Sequence, residues 1–137
     1  VGTLLRAAES SGCGGVVLAG SGVDLYNPKV VRASAGSLFR LPVATAPDVG
    51  AAQVAIAELG MPMIAAVARD GVPHLEATLG GPVAIVLGNE AHGLSDEVVA
   101  ACDAAVTITM DGPAESLNVA MAGTVLCFEA LRRRRSD

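Results

Sequence analysis

Residues 104–135 read AAVTITM, DGPAE, SLNVAMAGTVLCFEALRRRR, and this order of pieces decides the fold class. Ala104 to Met110 is short, apolar and β-branched, the pattern of a buried strand. Asp111-Gly112-Pro113 breaks it. Ser116 then stands as an N-cap before a long helix. From Leu117 to Leu131 that helix is apolar on most sides, so it is expected to be buried on two faces, by its own core and by a partner chain. Ser116 and Asn118 are polar and sit at its start, where free N–H groups suit an anion or polar ligand.

Upstream, helical and strand patterns alternate. Thr3 to Ser11 is helical and stops at Gly12. Gly15 to Ala19 is a short strand. Asn27-Pro28 opens a helix to about Ser37, with Asn27 as cap and Pro28 in the first turn. Phe39 to Ala44 reads as a strand bent at Pro42. Asp48 caps a helix through Leu59. Met63 to Ala68 and Pro82 to Leu87 are strands, and Arg69 to Gly81 between them reads as loop. Ser95 caps a helix over Asp96 to Ala101. Five strands interleaved with helices predict a single α/β domain, a parallel sheet with helices on both faces.

Composition agrees. Apolar residues make up 52% of the 137 and aromatic ones 2%, so the core is aliphatic. No apolar run reaches the roughly 18 residues that a bilayer demands, and no signal peptide is visible. Cys13, Cys102 and Cys127 form no C-x-x-C pair. They read as reduced core cysteines of a cytoplasmic protein. The net charge is −5, and the last six residues hold four of the nine basic side chains and one of the fourteen acidic ones, leaving −8 on the rest. RNA binding would need local patches, a dimer seam or another domain. The tail Arg132–Arg135 suits either phosphate contact or a solvated helix end favourable to the dipole.

Ligand sites in parallel sheets lie beyond the carboxyl ends of strands. Gly20-Ser21-Gly22 follows a strand, but a dinucleotide fingerprint would need glycine where Leu25 stands, and no phosphate loop is present. Leu87-Gly88-Asn89-Glu90-Ala91-His92-Gly93-Leu94 is a different matter. Its glycines let backbone amides approach a ligand, and Glu90 in apolar surroundings needs a partner. His92 reads as a surface or loop residue. His74 lacks partners at metal-ligand spacing, so no metal site is expected.

Three segments carry a family resemblance. Ile108-x-Met110-x-Gly112-x-x-x-Ser116-Leu117-Asn118-Val119 and Leu87-Gly88-x-Glu90-x-x-Gly93-Leu94 resemble the third and second motifs of the SpoU (TrmH-like) branch of the SPOUT RNA methyltransferases. Gly2, Arg6 and Ala8 match the first. The family's asparagine falls just before Val1, and a strand precedes it. The chain is therefore expected to be the catalytic domain of a longer protein, without the family's first strand or any RNA-selecting extension. Asn27 to Ser37 resembles the helix after the second strand, with Arg32 and Ser34 near the RNA end. Thr109 departs from the proline common in relatives.

The resemblance implies a C-terminal trefoil knot, a homodimer through the last helix, and S-adenosylmethionine as cofactor. The implied reaction is methyl transfer to a ribose 2′-hydroxyl, with ribosomal RNA the expected substrate and transfer RNA the alternative. Leu87, Gly88, Ile108, Met110 and Leu117 would hold the cofactor. Arg6 would lower the hydroxyl's pKa and bind the adjacent phosphate, because a guanidinium is a poor base. Ser116 and Asn118 would orient Arg6 or the phosphate, and Glu90 would fix Arg6 or the loop. Two other readings stand beside it: a non-catalytic knotted RNA-binding or dimerisation module, and a generic nucleotide-binding α/β enzyme.

Overall fold

The computed structural model describes residues 1–20, 27–89, 92–113 and 117–136. In order these form α1 (Gly2–Ser10), β1 (Val16–Ala19), α2 (Pro28–Ser34), α3 (Ser37–Arg40), β2 (Val43–Ala46), α4 (Val49–Glu58) and β3 (Met63–Ala66). Then follow β4 (Val72–Pro73), β5 (Ala84–Val86), α5 (Asp96–Ala100), β6 (Ala104–Thr107) and α6 (Val119–Ser136).

Helix starts follow local chemistry. Asn27 Oδ1 accepts from the Lys29 N–H at 2.9 Å, Asp48 Oδ1 from Ala51 at 2.8 Å, and Ser95 Oγ from Val98 at 3.3 Å. Each cap satisfies an amide the helix cannot, worth about 1 kcal/mol. Helix α2 ends sooner than its pattern predicts. Ala35 and Gly36 turn left-handed, with φ of 52° and 89°, and the chain restarts as α3.

That restart displaces the strand expected over Phe39–Ala44 to Val43–Ala46. Arg40 holds the turn helical by donating to Glu9 Oε1 at 2.8 Å and the Ala35 carbonyl at 3.3 Å. Pro42 has no N–H for a ladder, so pairing begins beyond it, although its carbonyl accepts from the Val16 N–H at 3.0 Å.

All strand pairs are parallel. Strands β1 and β2 form one sheet, with Val16 opposite Val43 and Ala19 opposite Ala46. The other sheet has the order β4-β6-β3-β5, with Met63 opposite Ala84 and Ala65 opposite Ala105. The described residues thus hold six strands in two sheets, not five in one. The added strand, β4, lies in the segment expected to be loop. It is held against β6 by Gly71 N–H donating to Thr107 Oγ1 at 2.9 Å and His74 N–H donating to the Thr107 carbonyl at 2.9 Å. Two residues are too few to show an alternating pattern.

Two apolar clusters hold the layers. Ile64, Val106, Leu79, Leu126 and Ala130 pack between the four-stranded sheet and α6. Leu79 and Leu126 are fully buried, each worth about 2 kcal/mol of transfer energy. Leu5 and Ala8 of α1 pack with Leu38 and Leu41 over the smaller sheet. Helices α1 and α2 meet almost backbone to backbone at Gly2, where a Cβ would lie 2.6 Å from both Ala33 Cβ and the Val30 carbonyl oxygen. Among the described residues, no helix is long and apolar enough to cross a membrane.

Candidate functional site

Because β3 lies between β5 and β6 and all three run parallel, their carboxyl ends open at one edge. The chain leaving them builds a cavity of about 480 Å³, with Ala66–Ala68 from β3, Leu87–Asn89 from β5 and Ile108 and Met110 from β6. The start of α6 closes it with Leu117, Asn118 and Ala122. This is the crevice position expected of a parallel sheet, and its volume is that of a small-molecule pocket.

All five residues expected to hold a cofactor therefore line one cavity: Leu87, Gly88, Ile108, Met110 and Leu117. Leu87, Ile108, Met110 and Leu117 form an apolar wall, and Asn89, His92 and Asn118 add polar groups to the same lining. Such walls favour the flat face of a base or a thioether chain, oriented by backbone groups at the strand ends. No group of three His, Cys, Asp or Glu among the described residues could hold a metal ion.

The loop after β5 is tight for a steric reason. A Cβ on Gly88 would lie 2.4 Å from the Gly93 carbonyl carbon, 2.6 Å from Leu94 N and 2.7 Å from Gly93 Cα. Only glycine lets the two arms touch. Asn89 closes the turn: its Oδ1 accepts from the His92 N–H at 2.7 Å, and its carbonyl accepts from the Gly93 N–H at 3.1 Å. His92, read from sequence as a surface or loop residue, is exposed and also lines the cavity.

The loop after β6 is braced from β4. His74 Nδ1 accepts the Thr109 N–H at 3.2 Å. Thr109 lies between Ile108 and Met110, so His74 is a backbone support for both. Sequence reasoning missed this because the contact spans 35 residues and has no local signature.

At the start of α6, Asn118 Oδ1 accepts from Ala120 N–H at 2.8 Å and its carbonyl from Ala122 N–H at 2.8 Å. Asn118 thus caps the helix at its observed start. Ser116, expected to cap it, lies outside the described residues, as does Glu90.

The RNA-facing expectations divide. Arg6 is exposed on α1 and is not among the cavity-lining residues, whereas Gly2 and Ala8 of the same motif are buried in packing. Leu4 connects this helix to the site, since it and Leu87 both pack over Gly123 of α6. Arg32 is exposed in the last turn of α2. Ser34 must be corrected. It is fully buried, and its hydroxyl donates to the Val31 carbonyl at 2.9 Å, so its side chain has no free surface for RNA. It faces inward because α1 crosses α2 at that turn.

In the arginine tail Arg132, Arg134 and Arg135 are exposed at a basic helix end, and several of these side chains also have protein partners. Glu129 is buried and accepts from Arg132 at 2.7 Å and from Arg133 at 2.9 Å. The Arg132 guanidinium first, and Arg133 after it, hold the Glu129 carboxyl down at about 2. Arg133 also donates to the Leu75 carbonyl, and Arg134 donates to the Ser11 carbonyl at 2.6 Å. Arg133 and Arg134 tie the helix end to the body, while Arg132 pairs with Glu129 within α6.

A family model described as the SpoU rRNA Methylase family matches residues 1–128. The chain is 36% identical over 141 residues to a 23S rRNA (uridine(2479)-2′-O)-methyltransferase of Streptomyces viridochromogenes, covering 99% of this chain and 49% of that one. It is 30% identical over 128 residues to a 23S rRNA (guanosine(2553)-2′-O)-methyltransferase of Bacillus subtilis, covering 93% and 51%. The crystal structure of the SpoU methyltransferase AviRb of Streptomyces viridochromogenes in complex with AdoMet superposes with a TM-score of 0.92 at 33% identity, over 99% of this chain and 56% of that one. The chain spans about half the length of these relatives.

Proposed function

The chain belongs to the SpoU rRNA methylase family, and from that premise we infer that it is the catalytic domain of an S-adenosylmethionine-dependent RNA ribose 2′-O-methyltransferase acting on ribosomal RNA. The observation that carries this is the convergence of Leu87, Gly88, Ile108, Met110 and Leu117 on one cavity at the strand ends. The likeness to a relative described with AdoMet bound supports it. The relatives named for 23S rRNA favour that substrate over transfer RNA.

The residues fit the cofactor. Leu87, Ile108 and Leu117 supply apolar walls for the adenine and the thioether chain, and the loop at Gly88 brings backbone groups close. Bound S-adenosylmethionine would supply an electrophilic methyl to the ribose oxygen, with the neutral thioether as leaving group and solvent water taking the hydroxyl proton. The protein's task is to place that hydroxyl roughly 3 Å away and in line, and to favour its deprotonation. Arg6 meets the second need as a fixed positive charge that also binds the neighbouring phosphate. Asn118 orients the site from the helix start, with Ser116 and Glu90 assigned to Arg6 and the loop. Arg32 contributes a phosphate contact.

Two further features belong to this reading. The three loops around the cavity are the crossing point of a C-terminal trefoil knot. Met121, Val125 and Phe128 leave an exposed apolar stripe on α6, which a second copy covers in a homodimer. Placement in the cytoplasm goes with an RNA substrate. Calorimetric titration with S-adenosylmethionine tests the cofactor and separates this enzyme from a non-catalytic knotted module. Arg6→Ala should bind the cofactor normally yet lose most ribose methylation of rRNA; full methylation by that variant refutes the role of Arg6.

A further inference from the structure

Cys13 and Cys127 stand 114 residues apart in sequence, yet their sulfurs are 3.8 Å apart. Cys13 lies in Ser11-Gly12-Cys13-Gly14-Gly15, just after α1, and Cys127 lies on α6. We propose that these two side chains form a redox-modifiable pair that an oxidant such as hydrogen peroxide converts to an intramolecular disulfide, fastening the end of α1 to α6.

The surroundings suit this chemistry. Cys13 is half-buried, so a small oxidant can reach it, while Cys127 is only 8% exposed. Ser11 Oγ lies 3.6 Å from the Cys13 sulfur. Arg134 donates to the Ser11 carbonyl at 2.6 Å, which holds a guanidinium beside the pair. The contact with Cys127 first, and Ser11 and Arg134 after it, lower the Cys13 thiol against the opposing effect of burial. The Cys127 thiol is pushed up, first by that same contact and then by burial. The more exposed Cys13 sulfur is the one an oxidant reaches first, and the Cys127 sulfur, buried 3.8 Å behind it, is placed to resolve it. A disulfide requires the sulfurs at about 2.0 Å. The remaining approach is short, and Cys13 sits in a glycine-rich turn that can supply it.

The steps balance. The Cys13 thiolate attacks a peroxide oxygen, the O–O bond breaks, and hydroxide leaves to take up a proton as water. The Cys127 sulfur gives up its proton and attacks the sulfur of the Cys13 sulfenic acid, and a second water leaves. Two thiols are oxidised by two electrons, and one peroxide is reduced to two waters. Cys102 takes no part. Its thiol donates to the Val98 carbonyl and accepts from Gln53 in a separate part of the fold.

The test treats the full chain with hydrogen peroxide at pH 7, then blocks free thiols under denaturing conditions and counts them by mass. The expected result is a fall from three free thiols to one, reversed by dithiothreitol. A peptide joining Cys13 to Cys127 should appear, together with a higher Tm. Cys102 and Cys127 share the tryptic fragment 70–132, so Cys102→Ser, falling from two thiols to none, identifies the partner of Cys13. Sulfinic acid at Cys13 with Cys127 still free overturns the proposal, as does a disulfide joining two chains or engaging Cys102. If Cys102→Ser fails to fold, fragment-ion sequencing of the cross-linked peptide 70–132 from the unsubstituted chain places the bond at Cys127 or at Cys102 and decides the matter.

Discussion

Replacing Gly88 by alanine adds one methyl group at the tightest point of the cavity wall. The new Cβ would sit 2.4 Å from the Gly93 carbonyl carbon and 2.6 Å from Leu94 N. Ordinary contact needs about 3.4 Å or more, so the arms of the loop must part by about 1 Å. The obstructing atoms are backbone, so no side-chain rotation relieves them. Overpacking of this kind costs about 1–3 kcal/mol. A cofactor that requires the closed loop must recover that cost on binding. At 1.4 kcal/mol per tenfold, Kd for S-adenosylmethionine should rise by about 5- to 150-fold. Calorimetric titration at 25 °C measures it, with circular dichroism confirming that the variant is folded. Gly81→Ala is the control, because a Cβ there meets nothing within 4 Å. If Gly88→Ala binds within twofold of the unsubstituted chain, the close contact is not what shapes the pocket.

Two other perturbations follow from the braces around the site. His74→Ala removes the acceptor of the Thr109 N–H, worth about 1 kcal/mol, so cofactor affinity should fall several-fold while Tm changes little; an unchanged Kd removes His74 as a positioning residue. Glu129→Gln should destabilise the chain through the tail. The Glu129 carboxyl is lowered from 4.5 to about 2, so its contribution is complete above about pH 4.5 and is lost as pH falls through about 2. Since Arg132 is 58% exposed, solvent screens the pair and keeps the contribution small. Urea denaturation at pH 7 and at pH 3.5 should show the gap between the variant and the unsubstituted chain narrowing at the lower pH. A gap that stays constant means the ion pairs are not its origin.

Asn27, Asp48 and Ser95 could be assigned from sequence because an N-cap is satisfied within three residues of itself. Strands β3, β5 and β6 were legible because β-branched and apolar runs mark burial without reference to what covers them. The glycine spacing around Gly88 and the polar start of α6 pointed to the site for the same local reason.

Contacts between distant segments were not legible. Strand β4 exists only because Thr107 is there to receive it. Residues 37–40 are helical because Glu9 and the turn at Ala35 hold Arg40. Ser34 looked available to RNA until α1 was laid across it. Three arginines that read as a free basic tail are tied to Glu129, Leu75 and Ser11. Cys13 and Cys127 looked like unrelated core cysteines. The amino-acid order determined the periodicity, the caps and the loops that could approach a ligand. The tertiary structure decided which side chains are spent on one another and which remain for chemistry, because that depends on distances the chain closes only by folding.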